Sequence, residues 1–274
     1  MRELEDSFYL VSAGATQRLD HDWLKKHMPD DRSVTFTDVT NAVGVLVLAG
    51  PKARDVLQKL TRTDLSSASF PWLSAKQIDV NLAPSVAARV NFVGELGWEL
   101  HHPIEYQNHI FDAIMAAGAA FGIKPFGIRA MDAMRLEKSY RLVGTELSIE
   151  YAALESGLQR FVYLNKGEFK GRQNLSQWQE TGFANTMVTL EVHDTTDADA
   201  IGGNPIMLPD GEVIGRATSG GFGFRLGKSL ALAMVRPGLA AVGTELMIDI
   251  LDQRLRVTVL QESPYDPDNQ RLRA

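Results

Sequence analysis

Helical spacing of apolar residues runs through this chain to about residue 175 and is absent beyond residue 185. From there the sequence breaks into short apolar, β-branched runs at 186–192, 205–207, 213–218, 229–235, 245–250 and 255–260. Gly202-Gly203, Asp210-Gly211 and Gly220-Gly221 punctuate them. Runs of this length between glycine turns form strands and leave no room for a long helix. The second part of the chain is therefore expected to be a small all-β barrel or sandwich. Gly182-Phe183-Ala184-Asn185 reads as the boundary, dividing the chain into residues 1–181 and 182–274.

The first part mixes both periods. Strands are expected at 7–12, 33–37, 41–49, 77–82 and 86–93. Helices are expected at 20–28, stopped by Pro29, and at 52–60, 104–120 and 128–138. Irregular mixing without strict alternation predicts an α+β domain. Ile110, Phe111, Ile114 and Met115 keep helical spacing, as do Ile128, Met131 and Met134, and such stripes normally face a core. Leu136 and Tyr140 are four apart, which lets Arg135 turn inward toward a carboxylate in a structural pair. The run 1–6 enters an apolar segment almost at once. A short natural start and a cut from something longer both fit. If a segment is missing, apolar exposure is expected near residues 8–11 or 43–47.

At 274 residues, with 45% hydrophobic and 23% charged residues, the composition is that of an ordinary globular protein. A net charge of −6 without a basic face argues against a nucleic-acid partner. No run has the length of a membrane span. The absence of cysteine excludes disulfides, thiolate metal sites and cysteine nucleophiles, and suggests a reducing compartment, most simply a cytoplasm. His101-His102 and His109 lack metal-ligand spacing, so no metal is expected. Gly220-Gly221-Phe222-Gly223 precedes no helix, so it is read as a barrel bend or loop and not as a phosphate-binding loop.

One stretch carries chemistry. Val93-Gly94-Glu95-Leu96-Gly97-Trp98-Glu99-Leu100 reads as a glycine turn between two strands. Trp98 and Glu99 then fall on opposite faces, so a core-facing Trp98 sends Glu99 into solvent or a pocket. A pocket carboxylate suits a ligand with adjacent N–H donors, such as an aminopyrimidine edge. A solvated hairpin acid is the bland alternative.

The same stretch resembles the Tyr-Thr-Gly-Glu-x-Gly-x-Glu signature of the glycine cleavage T-protein superfamily of folate-dependent aminomethyltransferases. Its Leu-Gly-Trp-Glu-Leu wording is similar to the folate-binding part of dimethylglycine and sarcosine dehydrogenases. Further matches keep their order: residues 127–137, Gly144-Thr145-Glu146-Leu147, Leu154-Glu155-Ser156-Gly157-Leu158, Phe169-Lys170-Gly171-Arg172 and Ile214-Gly215-Arg216-Ala217-Thr218-Ser219-Gly220. Together they cover nearly the whole chain.

The resemblance implies an α+β folate-binding domain, incomplete at its N-terminus, followed by the family's β-barrel domain. It implies tetrahydrofolate as cofactor, with Glu99 on the pterin's aminopyrimidine edge. It assigns cofactor binding to Glu99, Phe92, Trp98 and Met131. Phe92 stands at a family tyrosine and Met131 at a folate-contacting arginine, so a hydroxyl and a charge are lost. The family's essential aspartate precedes the first strand read here, so no catalytic residue is assigned. The function implied is one-carbon transfer from an N-methyl or aminomethyl donor to folate, as the folate module of a dimethylglycine- or sarcosine-oxidising system. FAD would then sit on a separate domain or partner, since no flavin fingerprint occurs here. The partners implied are folate, a small methylated amine and a flavin-containing oxidoreductase. Alternatives are a glycine-cleavage aminomethyltransferase, another folate-dependent demethylase, and a non-catalytic or partner-dependent folate binder.

Overall fold

In the computed structural model, Met1, residues 5–195 and residues 197–274 are described. Their contacts form two compact units: Met1–Phe126 with Asn269–Ala274, and Gly127–Asp268.

In the first unit, alternating burial of valine, leucine and alanine produces a four-stranded antiparallel sheet. Its strands are β1 (Val43–Ala49), β2 (Ala75–Val80), β3 (Ala83–Ala88) and β4 (Gly97–Pro103), ordered β1-β4-β3-β2. Asn81 and Leu82, both at positive φ, make the two-residue turn between β2 and β3. Pairing sets Leu46 and Ala87 beside Leu100, and Leu48 beside Trp98, on one face. That face packs against α2 (Ala53–Gln58) and α3 (Gln107–Gly118), with Val56, Leu57, Ile110 and Ile114 joining Phe70 in the core. The helix expected at 104–120 is thus α3 flanked by two 3₁₀ turns, stopped at Gly122 where φ is +74°. Along the opposite face run Val45 and Val47, each 44% exposed. Phe8, Leu10 and Val11 are exposed as well.

Two expected strands are absent. Residues 33–37 form no strand, with only Phe36 partly covered. Residues 7–12 do not join the sheet; Tyr9 instead exchanges two backbone hydrogen bonds with Met1. Alternation marks what a strand would bury if a neighbouring strand were present, and neither segment has one in the sheet. Residues 2–4 of the opening run lie outside the described residues. The helix expected at 20–28 is α1 (Gln17–Lys26).

The second unit holds the barrel. Its strands are β5 (Thr186–Val192), β6 (Pro205–Met207), β7 (Val213–Gly223), β8 (Lys228–Val235), β9 (Glu245–Ile250) and β10 (Gln253–Leu260). They close in the order β10-β5-β8-β7-β6-β9 around Leu190, Ile206, Ala231, Val235, Ile248 and Val257. The fold is therefore α+β followed by a small closed β-barrel. β7 runs on through Gly220-Gly221 where a bend or loop was expected; its pairing with β8 slips between Ala217 and Ser219. These glycines admit close neighbours: a Cβ at Gly220 would lie 2.1 Å from the Ala200 carbonyl oxygen.

The unit begins at Gly127, well before the composition boundary at 181/182, because α4 (Ile128–Glu137) packs on β7 and β8. Outward-facing Leu230, Leu232 and Met234 are buried as completely as the barrel's interior. Glu137, itself buried, accepts hydrogen bonds from the backbone N–H groups of Arg225 (2.6 Å) and Leu226 (3.2 Å) and pairs with the Arg225 guanidinium. A further helix, α5 (Arg172–Thr181), was not expected, since Leu175 and Trp178 alone give it apolar spacing.

Candidate functional site

Glycine at position 97 allows β4 to start tightly against β1; a Cβ there would lie 2.6 Å from the Leu48 carbonyl oxygen. Trp98 then turns into the core with no exposed surface. Phe70 meets it edge-on at 6.1 Å, and the guanidinium carbons of Arg54 and Arg89 each lie 5.8 Å from its ring. Alternation sends Glu99 to the other face. Its side chain is 28% exposed, between Val47 of β1 and Ala88 of β3. The sequence expectation that these two residues part company across the strand describes this geometry.

The neighbouring acid has a different setting. Residues 92–96 form a bend in which the Asn91 side chain accepts from the N–H groups of Val93 (2.9 Å) and Gly94 (3.1 Å). Gly94 sits at φ +74°, a conformation that suits glycine. The Glu95 carboxylate, 12% exposed, lies 3.7 Å from the Arg271 guanidinium. Glu95 is thus held within the turn, while Glu99 looks out over an aliphatic sheet face.

His101, two residues further along β4, shares Glu99's face. Its Nε2 lies 3.3 Å from Glu99 Oε2 and its Nδ1 lies 3.2 Å from the Tyr9 hydroxyl. Tyr9 also meets the ring edge-on at 5.4 Å. A cleft of about 860 Å³ opens beside it, lined by Tyr9, Val43, Gln77, Val86, His101 and Glu105 among others. Neither Tyr9 nor His101 was singled out from sequence. The available signal was the i, i+2 spacing of His101 from Glu99 on a predicted strand.

Of the other residues expected at the cofactor, Phe92 is partly buried at the start of the bend. Met131 belongs to the second unit, partly buried in the first turn of α4. Trp98 lies wholly beneath the strand, on the face opposite Glu99.

The charged motif residues of the second unit are structural. Arg135 turns inward as the spacing allowed, bonding Glu146 at 3.2 Å and Asp132 at 2.7 Å. Glu146 is fully buried and accepts from the hydroxyls of Thr145 (2.7 Å), Thr218 (2.6 Å) and Ser219, and from the Leu142 N–H (2.9 Å). Burial pushes this carboxyl up, but bonds from Ser219, Thr218 and Leu142 with the Arg135 charge outweigh it and hold the group below the usual carboxylate range. Glu155 is likewise occupied, accepting from Asn185 and the Ala152 N–H. Among the described residues no cluster of histidine and carboxylate side chains is arranged to hold a metal ion. No described helix is long and apolar enough to cross a membrane.

Residues 1–166 match the GCVT N-terminal domain, and residues 185–266 match the glycine cleavage T-protein C-terminal barrel domain. The chain is 38% identical over 257 residues to mitochondrial dimethylglycine dehydrogenase of Homo sapiens, covering 93% of this chain and 29% of that one. It is 31% identical over 270 residues to an aminomethyltransferase of Thermoanaerobacter sp. (strain X514), covering 95% and 70%. It thus spans under a third of the length of the dimethylglycine dehydrogenases it matches. The solved structure of glycine cleavage system aminomethyltransferase T from Bartonella henselae aligns with a TM-score of 0.77 at 20% identity, over 92% of this chain and 67% of that one, a likeness of fold.

Proposed function

The chain belongs to the glycine cleavage T-protein family, and from that premise we propose that it binds tetrahydrofolate through Glu99 and passes a one-carbon unit to it from an N-methyl or aminomethyl donor. Tetrahydrofolate, when bound, supplies the nitrogen that accepts the one-carbon unit. The chain's own residues bind and orient it. The Glu99 carboxylate accepts two N–H bonds from the pterin's aminopyrimidine edge, a charge-assisted pair worth about 1.5–3 kcal/mol per hydrogen bond.

The single observation that carries this reading is the setting of Glu99: an acid with one side open, held by a buried tryptophan behind it and flanked by Val47 and Ala88. An aliphatic surface beside one convergent polar group suits a flat heterocycle. Phe92 is proposed to add an apolar contact, without the hydroxyl of the family pattern. Trp98 acts from beneath, as the anchor of Glu99.

Similarity to dimethylglycine dehydrogenase (38%) and to the mitochondrial sarcosine dehydrogenase of Mus musculus (31%) favours a small methylated amine as donor. In that setting a flavin-containing domain or subunit oxidises the amine and this chain takes the one-carbon unit. A glycine-cleavage aminomethyltransferase would use the same Glu99 contact, and the 31% identity to that enzyme supports it as the second reading.

The test is calorimetric titration of folinic acid, a stable tetrahydrofolate derivative, into the wild type and Glu99→Gln. Glutamine keeps the shape but exchanges an acceptor for a donor, so affinity should fall at least about tenfold. Equal affinities would remove Glu99 from the site, and no binding by the wild type would remove folate.

A further inference from the structure

Glu99 is one end of a chain of three side chains. A neutral histidine ring has one donor nitrogen and one acceptor nitrogen, and the partners decide which is which. An ionised carboxylate only accepts, so Nε2 of His101, 3.3 Å from Glu99 Oε2, carries the proton. In the neutral ring Nδ1 is then the acceptor, to which the Tyr9 hydroxyl at 3.2 Å donates. The order is Tyr9 O–H to Nδ1, and Nε2–H to Oε2. The histidine side chain is 3% exposed against 28% for the glutamate, so the acid is the outward end and the imidazole its support.

We propose that His101, with its tautomer set by Tyr9, is a positioning residue that fixes the orientation of the Glu99 carboxylate for the edge of its ligand. Among the described residues the Glu99 carboxylate has no other hydrogen bond to stop its terminal torsion, which is intrinsically broad. With Oε2 engaged along the strand by His101, Oε1 and the second lone pair of Oε2 remain as the pair of acceptors that two adjacent N–H donors require. The arrangement pre-organises the site before a ligand arrives, as supporting hydrogen bonds do for metal-bound histidines. The ligand identity in this inference rests on the folate reading above; the tautomer and the restraint on Glu99 do not.

Two measurements separate the levels. The first is ¹⁵N NMR of the histidine rings of the full chain, with Glu99 carboxylate shifts followed in parallel, without any ligand. The expected result is a neutral His101 ring protonated at Nε2, with the Nδ1 resonance moved by Tyr9→Phe and the Glu99 carboxylate resonance moved by His101→Asn. A ring protonated at Nδ1 alone, or a Glu99 resonance indifferent to His101→Asn, would overturn the proposal. The second is titration of folinic acid into Tyr9→Phe and His101→Gln. Each should weaken binding by about two- to tenfold, the net worth of one hydrogen bond. Tyr9→Phe keeps the ring and its edge contact, so it serves if the buried histidine variants fail to fold. Affinities unchanged in Tyr9→Phe and a folded His101→Gln, while Glu99→Gln loses binding, would leave Glu99 in the site and refute its positioning by His101. Failure of the wild type to bind folinic acid would retire the folate reading, and the NMR result would then decide the relay alone.

Discussion

At position 95 and at position 99 the chain carries the same side chain, four residues apart, with opposite consequences. The Glu95 carboxylate is turned in beside Arg271, whereas Glu99 faces out over Val47. Glu95→Gln should therefore leave folinic acid affinity within about twofold and lower the melting temperature slightly, as expected for one partly exposed ion pair. Titration and thermal unfolding of the same sample check both halves. Glu146 contributes to the pH dependence of stability. Its folded-state carboxyl lies below its usual value of 4.5, so the folded state disfavours the proton. The stability it contributes is complete above that ordinary value and is lost as pH falls through the lower folded value. Urea unfolding between about pH 6 and about pH 3 should show the wild type losing stability over that window, and Glu146→Gln losing less. At neutral pH the variant should be weaker by roughly 3 kcal/mol, since Arg135 is left buried without that partner. The buried charges of this chain were partly legible: the four-residue spacing of Leu136 and Tyr140 allowed an inward Arg135. The partner of Glu99 was legible only as the i, i+2 spacing of His101 on a strand, and Tyr9 comes from a distant segment.

Elements were legible wherever glycine turns bounded an apolar run. The strands at 186–192, 205–207 and 245–250 lie where the sequence placed them. The segments 7–12 and 33–37 show the converse, since a strand needs a neighbour that its own sequence does not reveal. β7 shows why glycine inside a strand is ambiguous: Gly220-Gly221 is needed for close approach and not for a bend. Gly220→Ala should destabilise by about 1–3 kcal/mol, because the new methyl meets the Ala200 backbone at 2.1 Å. Gly221→Ala should cost less, since its nearest neighbour is the flexible tip of Leu136 at 3.2 Å. Thermal melts of the two variants rank them. In β4, Trp98→Ala should cost about 3–5 kcal/mol through the cavity it leaves. Trp98→Phe, which keeps an aromatic anchor, should retain most folinic acid binding if the ring's role is to fix Glu99.

Across the whole molecule, composition located the first barrel strand but not the first residue of the barrel's compact unit. Strand periodicity begins at Thr186, while the unit begins at Gly127. The reason is that α4 supplies Leu136 and Glu137 as the outer cover of β7 and β8, and that Glu146 ties Thr218 and Ser219 to Arg135. A helix that covers a barrel looks from sequence like any other amphipathic helix. A fragment of residues 127–268 should accordingly unfold cooperatively at higher urea than one of residues 182–274, which loses that cover. Whether Glu99 reads the aminopyrimidine edge of a folate is decided from the ligand's side. Affinities of folinic acid and its 2-desamino analogue, which lacks one donor of that edge, would be measured for the wild type and for Glu99→Gln. A coupled cycle is expected: removal of the amino group weakens the wild type by about tenfold and the variant hardly at all. Equal losses in both proteins would show that the amino group and Glu99 do not meet, and would contradict that reading.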